Sequence, residues 1–282
     1  MSGKLSSLSS VVLSEAFAQN FIAYFKHLAA PEHEENKIKI KAEDTSSLIS
    51  VGLNLPIFNG IFLREDSNYE KIISSFDPYY LENTLPYQIW LDSELDKNEY
   101  IPKLKSHGFR YIGDDNALAM EIEKMKKEIS FPNSLYVEEV NSQERFEKYV
   151  DLVKLKFNYR GDSYKEYLKK FESIDFKNKP TYWRKYIGWL NGEAKSAATL
   201  ILAGGIAVIY EEALTAKLAR NPYGVNDGTV SKLMKDSLKM GYKIGGVFSS
   251  VGELRRYFAL GFTEQFKVPK FIRILPRKPR NR

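Results

Sequence analysis

The segment RRYFALGFTEQF (255–266) places a phenol, Tyr257, four residues before a glycine that ends a short predicted helix. A phenol within hydrogen-bond reach of a leaving group can give it a proton. Two neighbouring carboxylates, Glu211 and Glu212, lie in the strand-like run IAVIYEEAL (206–214). Successive strand residues point to opposite faces, so one of the two can face a cleft and accept a proton. Parity groups Glu212 with Ile206, Val208 and Tyr210, and Glu211 with Ala207 and Ile209. Which face is which stays open, and Glu212 is taken as the candidate base. The loop ARNPYGVNDG (219–228) leads into the helical pattern TVSKLMKDSLKMGY. A helix N-terminus offers unbonded N–H groups to an anion, and glycine lets the backbone approach closely. Gly224 and Gly228 supply the glycines. Arg220 supplies a nearby cation that can bind phosphate. Asp227 is the predicted N-cap, which sets a carboxylate beside any bound anion.

Composition narrows the chemistry. There is no cysteine, which removes disulfides, thiolate nucleophiles and zinc–thiolate centres and fits a cytoplasmic protein. His27, His33 and His107 have no metal-ligand spacing, and no metal site is expected. No uncharged apolar window approaches the roughly 20 residues a membrane span needs. The N-terminal SSVVLSEAFAQNFIAYFKHL reads as an amphipathic helix and not a signal peptide, since Glu15 interrupts it and Phe17, Phe21, Tyr24, Phe25 and Leu28 fall at helical spacing. The net charge is +6, but Arg273, Arg277, Lys278, Arg280 and Arg282 hold most of it. The remainder is close to neutral, so these residues read as a solubilising basic tail, with contact to phosphate-rich partners as the alternative, and nucleic acid is not the leading expectation.

At 282 residues two domains are expected. The lysine-rich EKMKKEISFPN (123–133) reads as the linker. After it come a strand at 135–140, helical patterns over 142–157 and 162–173, and strands at 182–190 and 193–203. Asn191-Gly192 joins those two strands as a hairpin, and Gly204-Gly205 turns into the strand 206–214. The loop and helix follow, then a strand at 243–250, a short helix ending at Gly261, and a last strand. The first half has a similar outline. An opening helix precedes strands at 47–55 and 56–63, a helix at 67–76 and a strand at 87–92. A short helix ends at Gly108, and strands follow at 109–113 and 118–125. The repeat period is about 130 residues.

This order, the loop before the long helix and the phrase Tyr257-Phe258-Ala259-Leu260-Gly261-Phe262 resemble the GNAT superfamily of acyl-CoA-dependent N-acyltransferases over 134–275. The phrase looks like the family's Y-x-x-L-G-F. LPIFNGIF (55–62) and LKSHGF (104–109) make the first half resemble a second, degenerate unit. The resemblance implies an α/β (α+β) fold of two tandem GNAT-like units, each a mixed, mostly antiparallel sheet flanked by helices. Residues 1–128 would be the degenerate N-terminal domain, 134–275 the acetyltransferase domain and 276–282 the tail.

The resemblance also implies acetyl-CoA as cosubstrate and an amine acceptor, a small molecule or a protein. The backbone of Ala213, Leu214 and Thr215 would pair with the pantetheine arm, as an added strand does. Gly224, Val225, Asn226, Asp227 and Gly228, with Arg220, would cradle the diphosphate. The family loop pattern Q/R-x-x-G-x-G/A is kept only at Gly224. Asn221 stands at the first position and Asn226 at the last, and Asp227 opposes the anion. Tyr257 would be the general acid for the thiolate, and a glutamate of the strand, Glu212, the base. In the first half Leu104 stands where Tyr257 does, and Glu65 and Asp66 lie at the diphosphate position. Asn59, at a strand end, would either shape the acceptor side or make structural hydrogen bonds. Two other classes stay open: a non-catalytic GNAT-like module that binds CoA or a protein, and an aminoacyl-tRNA-dependent transferase. A secreted effector is possible in principle, but nothing in the sequence marks secretion.

Overall fold

The structure, a computed structural model, describes residues 4–5, 7, 10–29, 39–43, 46–50, 55–64, 68–126, 131–157, 176, 182–215 and 224–273. In chain order the elements are α1 (Ser10–Ala29), β1 (Lys39–Glu43), β2 (Ser46–Ser50), β3 (Asn59–Leu63), α2 (Tyr69–Glu82), β4 (Gln88–Leu91), α3 (Lys97–Ser106), β5 (Phe109–Glu121), β6 (Leu135–Glu139), α4 (Gln143–Phe157), β7 (Trp183–Leu190), β8 (Glu193–Ala203), β9 (Ile206–Leu214), α5 (Val225–Lys239), β10 (Ile244–Ser249), α6 (Leu254–Leu260) and β11 (Thr263–Arg273). The helical pattern at 162–173 lies outside the described residues. Two compact units interleave along the chain. One takes Met1–His27 with Asn116–Phe266, the other Leu28–Asp115 with Lys267–Arg282.

In the first of these, β6, β7, β8 and β9 are antiparallel neighbours, β9 runs parallel to β10, and β10 is antiparallel to the second half of β5. The hairpin turns form where expected. Asn191 and Gly192 have φ of 53° and 80°, and Gly204 and Gly205 of 62° and 80°. Positive φ at both central residues is what a tight hairpin between right-twisted strands requires. One face is covered by α5 and α6, where Val230, Leu233, Met234, Tyr257 and Leu260 meet Ala198, Leu200, Ala207 and Ile209. The other carries α1, whose Leu13, Ala16 and Phe17 meet Ile206 and Val208. Asn20 Nδ2 ties α1 to the β8–β9 hairpin through the carbonyls of Ile201 and Ala203, both at 3.0 Å. The sequence outline assigned α1 to the first half. Its apolar face finds its partner about 180 residues on, which local pattern does not reveal.

The second unit repeats the pairings. β1, β2 and β3 are antiparallel, β3 runs parallel to β4, and β4 is antiparallel to the end of β11. Each parallel pair thus takes its next strand from the other half of the sequence: β5 lies on β10 and β11 on β4. A single cut at 128–134 does not foresee this exchange. Three local expectations also change. Pro56–Phe58 forms a 3-10 turn, not strand, before β3. The helix predicted at 67–76 continues past Pro78 to Glu82. Buried Tyr80 anchors that last turn through its hydroxyl, which lies 2.7 and 2.6 Å from the carbonyl oxygens of Ile49 and Gly60. The strands predicted at 109–113 and 118–125 are one strand of 13 residues, β5, followed by a 3-10 turn at Ile122–Lys124. Its polar middle reads as a turn, but each side chain has a partner. Asp114 meets Lys97 and Asp115 meets Lys270, both at 2.7 Å, and Asn116 donates to Ser249 O at 3.0 Å.

Candidate active site

The parallel pair β9–β10 holds together for three rungs only. Ala207, Val208 and Ile209 face Gly245, Gly246 and Val247, and no pair follows, although β9 runs on to Leu214 and β10 to Ser249. Where pairing with β10 ends, β9 also breaks register with β8. Tyr210 pairs Thr199 and Ala213 pairs Ala197, so Glu211 and Glu212 together oppose Ala198. This is a β-bulge, and Glu211 has φ of 50°, left-handed backbone that a non-glycine residue adopts at a cost. Thr215 N donates to Lys195 O at 3.0 Å, so its amide is spent on β8. Antiparallel alternation then turns the backbone groups of Leu214 to the open edge.

The bulge overturns the parity read from sequence. Glu212 leaves the face of Val208 and Tyr210 and joins that of Ala207 and Ile209. Its Oε2 accepts from the hydroxyl of Tyr257 and, at 2.7 Å, from Arg256 Nη2. Tyr257 is buried midway along the short α6, and the Arg256 guanidinium lies 4.2 Å from its ring centre. Burial first, then the Glu212 carboxylate, raises the Tyr257 pKa well above 10, so the phenol keeps its proton at neutral pH. Glu212 Oε1 is buried and has no hydrogen bond among the described residues. Gly261 caps α6 with φ of 106°, as the sequence predicts, and Phe262 is buried.

The N-terminus of α5 is joined to Glu212 through Arg256, which also reaches Asp227. The N-cap is Gly224, with φ of 72° and no side-chain cap bond, not Asp227. The helix begins four residues before the TVSKLM pattern because Val225 is fully buried and anchors the first turn. Val225, Asn226 and Asp227 follow the cap, so their N–H groups have no intrahelical acceptor; the first such bond runs from Gly228 N to Gly224 O at 2.8 Å. Asn226 Oδ1 and Thr215 Oγ1 are buried without partners among the described residues. Gly228 is turned inward: a Cβ there would lie 2.2 Å from Leu135 Cδ2. Its role is the close approach of α5 to β6. Arg220 lies outside the described residues.

Asp227 is not left to oppose an anion alone. Arg256 Nη1 reaches its Oδ1 at 3.4 Å while Nη2 holds Glu212. Burial raises the Asp227 pKa, and Arg256 partly reverses the shift. Glu212 raises the pKa of Arg256 in spite of burial, so the guanidinium stays charged. Sequence reading missed both Arg256 and the bulge. Arg256 is the second of two adjacent arginines, and nothing local separates it from exposed Arg255. The bulge carries no glycine to announce it.

No family model matches this sequence, and no curated protein does. Solved structures do. A GCN5-related N-acetyltransferase from Kribbella flavida is similar at TM-score 0.69 and 12% identity, over 94% of this chain and 96% of that one. A functionally unknown conserved protein from Staphylococcus epidermidis is similar at 0.63 and 11%, over 85% and 95%. A GCN5-related N-acetyltransferase from Sphaerobacter thermophilus is similar at 0.57 and 10%, over 80% and 76%. At such identities the likeness is one of fold. This chain has the mixed α/β fold of the GCN5-related N-acetyltransferases, the GNAT proteins.

Proposed function

We propose that the unit containing β6–β10 transfers an acetyl group from acetyl-CoA to an amine. The observation that carries this is the parting of β9 from β10 at a strained bulge, with the glycine-capped N-terminus of α5 joined to it through Arg256. Acetyl-CoA supplies the activated acyl group. The residues present fit it: Leu214 offers strand-edge backbone to the pantetheine arm, with Ala213 and Thr215 beside it. The N-terminus of α5 from Gly224 to Asp227 offers N–H groups to the diphosphate, with Arg256 offsetting Asp227 and Arg220 as a further cation.

In this reading Glu212 and Tyr257 act as one proton relay. As the amine nitrogen bonds to the acyl carbon and the carbon–sulfur bond breaks, Tyr257 gives its proton to the departing thiolate. Glu212 Oε1 takes the amine proton, directly or through water, and Glu212 returns a proton to Tyr257 through their shared hydrogen bond. The sum is an amide and a thiol with both side chains restored. Arg256 holds the carboxylate in place throughout.

A second reading is a non-catalytic GNAT-like module that binds CoA or a protein. It is favoured by Arg256 and Tyr257 both already donating to Glu212 Oε2, which ties up the phenol proton. Calorimetry with acetyl-CoA and release of free thiol on adding candidate amines separate the two. The chain has no cysteine, so a thiol reagent reports only CoA. Binding without thiol release over a broad amine panel supports the module, and no binding removes the transferase and leaves only a protein-binding module.

A further inference from the structure

On the opposite face of β9 lies a buried charge pair that the proposed reaction does not use. Lys185 of β7 and Glu211 of β9 meet at 2.6 Å, each side chain 1% exposed. The same Glu211 Oε2 accepts from Thr199 Oγ1 at 2.6 Å and from the Tyr149 hydroxyl at 2.7 Å. Lys185 Nζ also reaches Thr199 Oγ1 at 3.1 Å and lies 4.4 Å from the centre of the Tyr149 ring. Groups from β7, β8 and α4 therefore converge on one carboxylate oxygen of β9.

Such a pair is a poor source of stability, because an apolar pair of similar volume is buried at less cost. Its position points to another role. Lys185 pairs in register with Thr199, and Thr199 with Tyr210, on the last regular rung before the bulge. The Glu211 carboxylate lies on the same face as Tyr210, its neighbour in sequence. A regular strand cannot place two consecutive side chains on one face. The left-handed step at Glu211 does so, and that step sends Glu212 to the face of Tyr257.

We infer that Lys185, with Tyr149 and Thr199, draws Glu211 to the α4 face and thereby sets the bulge that aims Glu212 at Tyr257; these are positioning residues for the proposed transfer, on which reading this inference rests. Without the anchor, β9 relaxes to regular alternation and Glu212 turns toward Val208 and Tyr210, away from the phenol.

The test pairs two double variants. Lys185→Met with Glu211→Gln removes both charges at similar volume and leaves the left-handed step unsupported. Lys185→Met with Glu211→Gly removes the same charges but supplies a residue that adopts positive φ freely. The first is expected to lose about 10²-fold in kcat, the scale of a small misplacement, with the acetyl-CoA Kd within a few-fold of wild type. The second is expected to keep kcat near wild type. Equal kcat losses in both, or wild-type kcat in a folded Gln variant, overturn the inference. Should the Gln variant fail to fold, Tyr149→Phe, which removes one donor and keeps the ring, is expected to lower kcat by a smaller factor. Unchanged kcat there also overturns it. Crystal structures of the Gln and Phe variants without ligand report on the bulge whether or not acetyl-CoA binds. A relaxed or shifted β9 is expected, and an intact bulge in both rejects the inference separately from the reading of function.

Discussion

The two parallel strand pairs among the described residues, β3–β4 and β9–β10, are the same joint built to opposite ends. In β3–β4 the pairing runs the whole way, from Gly60 on Gln88 to Leu63 on Leu91, and Asp92 N continues it to Leu63 O at 2.9 Å. Arg64 Nε and Asp92 then stitch the strand ends at 3.2 Å. No bulge interrupts it. In β9–β10 the pairing stops after three rungs, and the bulge turns the rest of β9 away. The helices that follow repeat the contrast. Both α3 and α6 end at a left-handed glycine, Gly108 with φ of 82° and Gly261 with 106°. Four residues earlier, α3 carries fully buried Leu104 in an apolar core, and α6 carries Tyr257 bonded to a carboxylate. Asn59 is likewise structural: it donates to Leu55 O and Pro86 O and accepts from Ser50. Keeping the fold requires the helix cap and the apolar face. A cleft requires that backbone pairing be given up and the loose strand held by other means.

The largest test of this comparison is a cut. Residues 134–275 alone lose the ladder from Ile244–Glu121 to Ser249–Asn116, and lose α1 with it. This fragment is expected to lack cooperative unfolding by circular dichroism; a sharp transition would show that the exchanged strand is dispensable.

Next in size is Tyr257→Phe, which keeps the ring and removes the proton. Turnover measured by thiol release is expected to fall about 10²–10⁴-fold with little change in acetyl-CoA Kd. Turnover near wild type, with chemistry shown to limit the rate, would make Tyr257 a packing residue like Leu104.

Arg256→Gln should weaken acetyl-CoA binding about 10-fold, the scale of one charge-assisted hydrogen bond, and Asp227→Asn in the same chain should restore most of it. Burial raises the Asp227 pKa, so lowering the pH protonates this group sooner than an exposed aspartate and removes a negative charge from the cradle. Binding should therefore tighten as the pH falls, more so in wild type than in Asp227→Asn. The same shift favours the folded state at acid pH, and that contribution is lost as pH rises through the folded-state pKa. Identical pH profiles for the two proteins would exclude Asp227 from the anion site.

The smallest effects belong to the zipped unit. One acetyl-CoA is expected per chain by calorimetry, and Leu104→Tyr should add neither a second equivalent nor turnover. Leu104→Ala should cost about 2–5 kcal/mol of stability with acetyl-CoA Kd unchanged. Two equivalents of similar affinity would show that strand parting is not what makes a site.

By itself the sequence determined what local chemistry controls. Asn191-Gly192 and Gly204-Gly205 could only be tight turns, because their neighbours alternate and their own backbones accept positive φ. Gly261 could end a helix, so Tyr257 had to lie in its last turns beside an apolar face. That a helix begins close to Gly224 was legible from the loop's glycine and the apolar pattern after it, although the cap itself was read as Asp227. Tertiary structure decided whatever depends on residues far apart in the chain. Glu211 carries no local sign of a left-handed step; its conformation is held by Lys185, 26 positions earlier, and by Tyr149, 62 positions earlier. Arg256 becomes a bridge only because β9 and α5 bring Glu212 and Asp227 to it. The exchange of β5 and β11 is likewise silent in sequence, since a strand's alternation records which of its faces is buried but not which edge it pairs with.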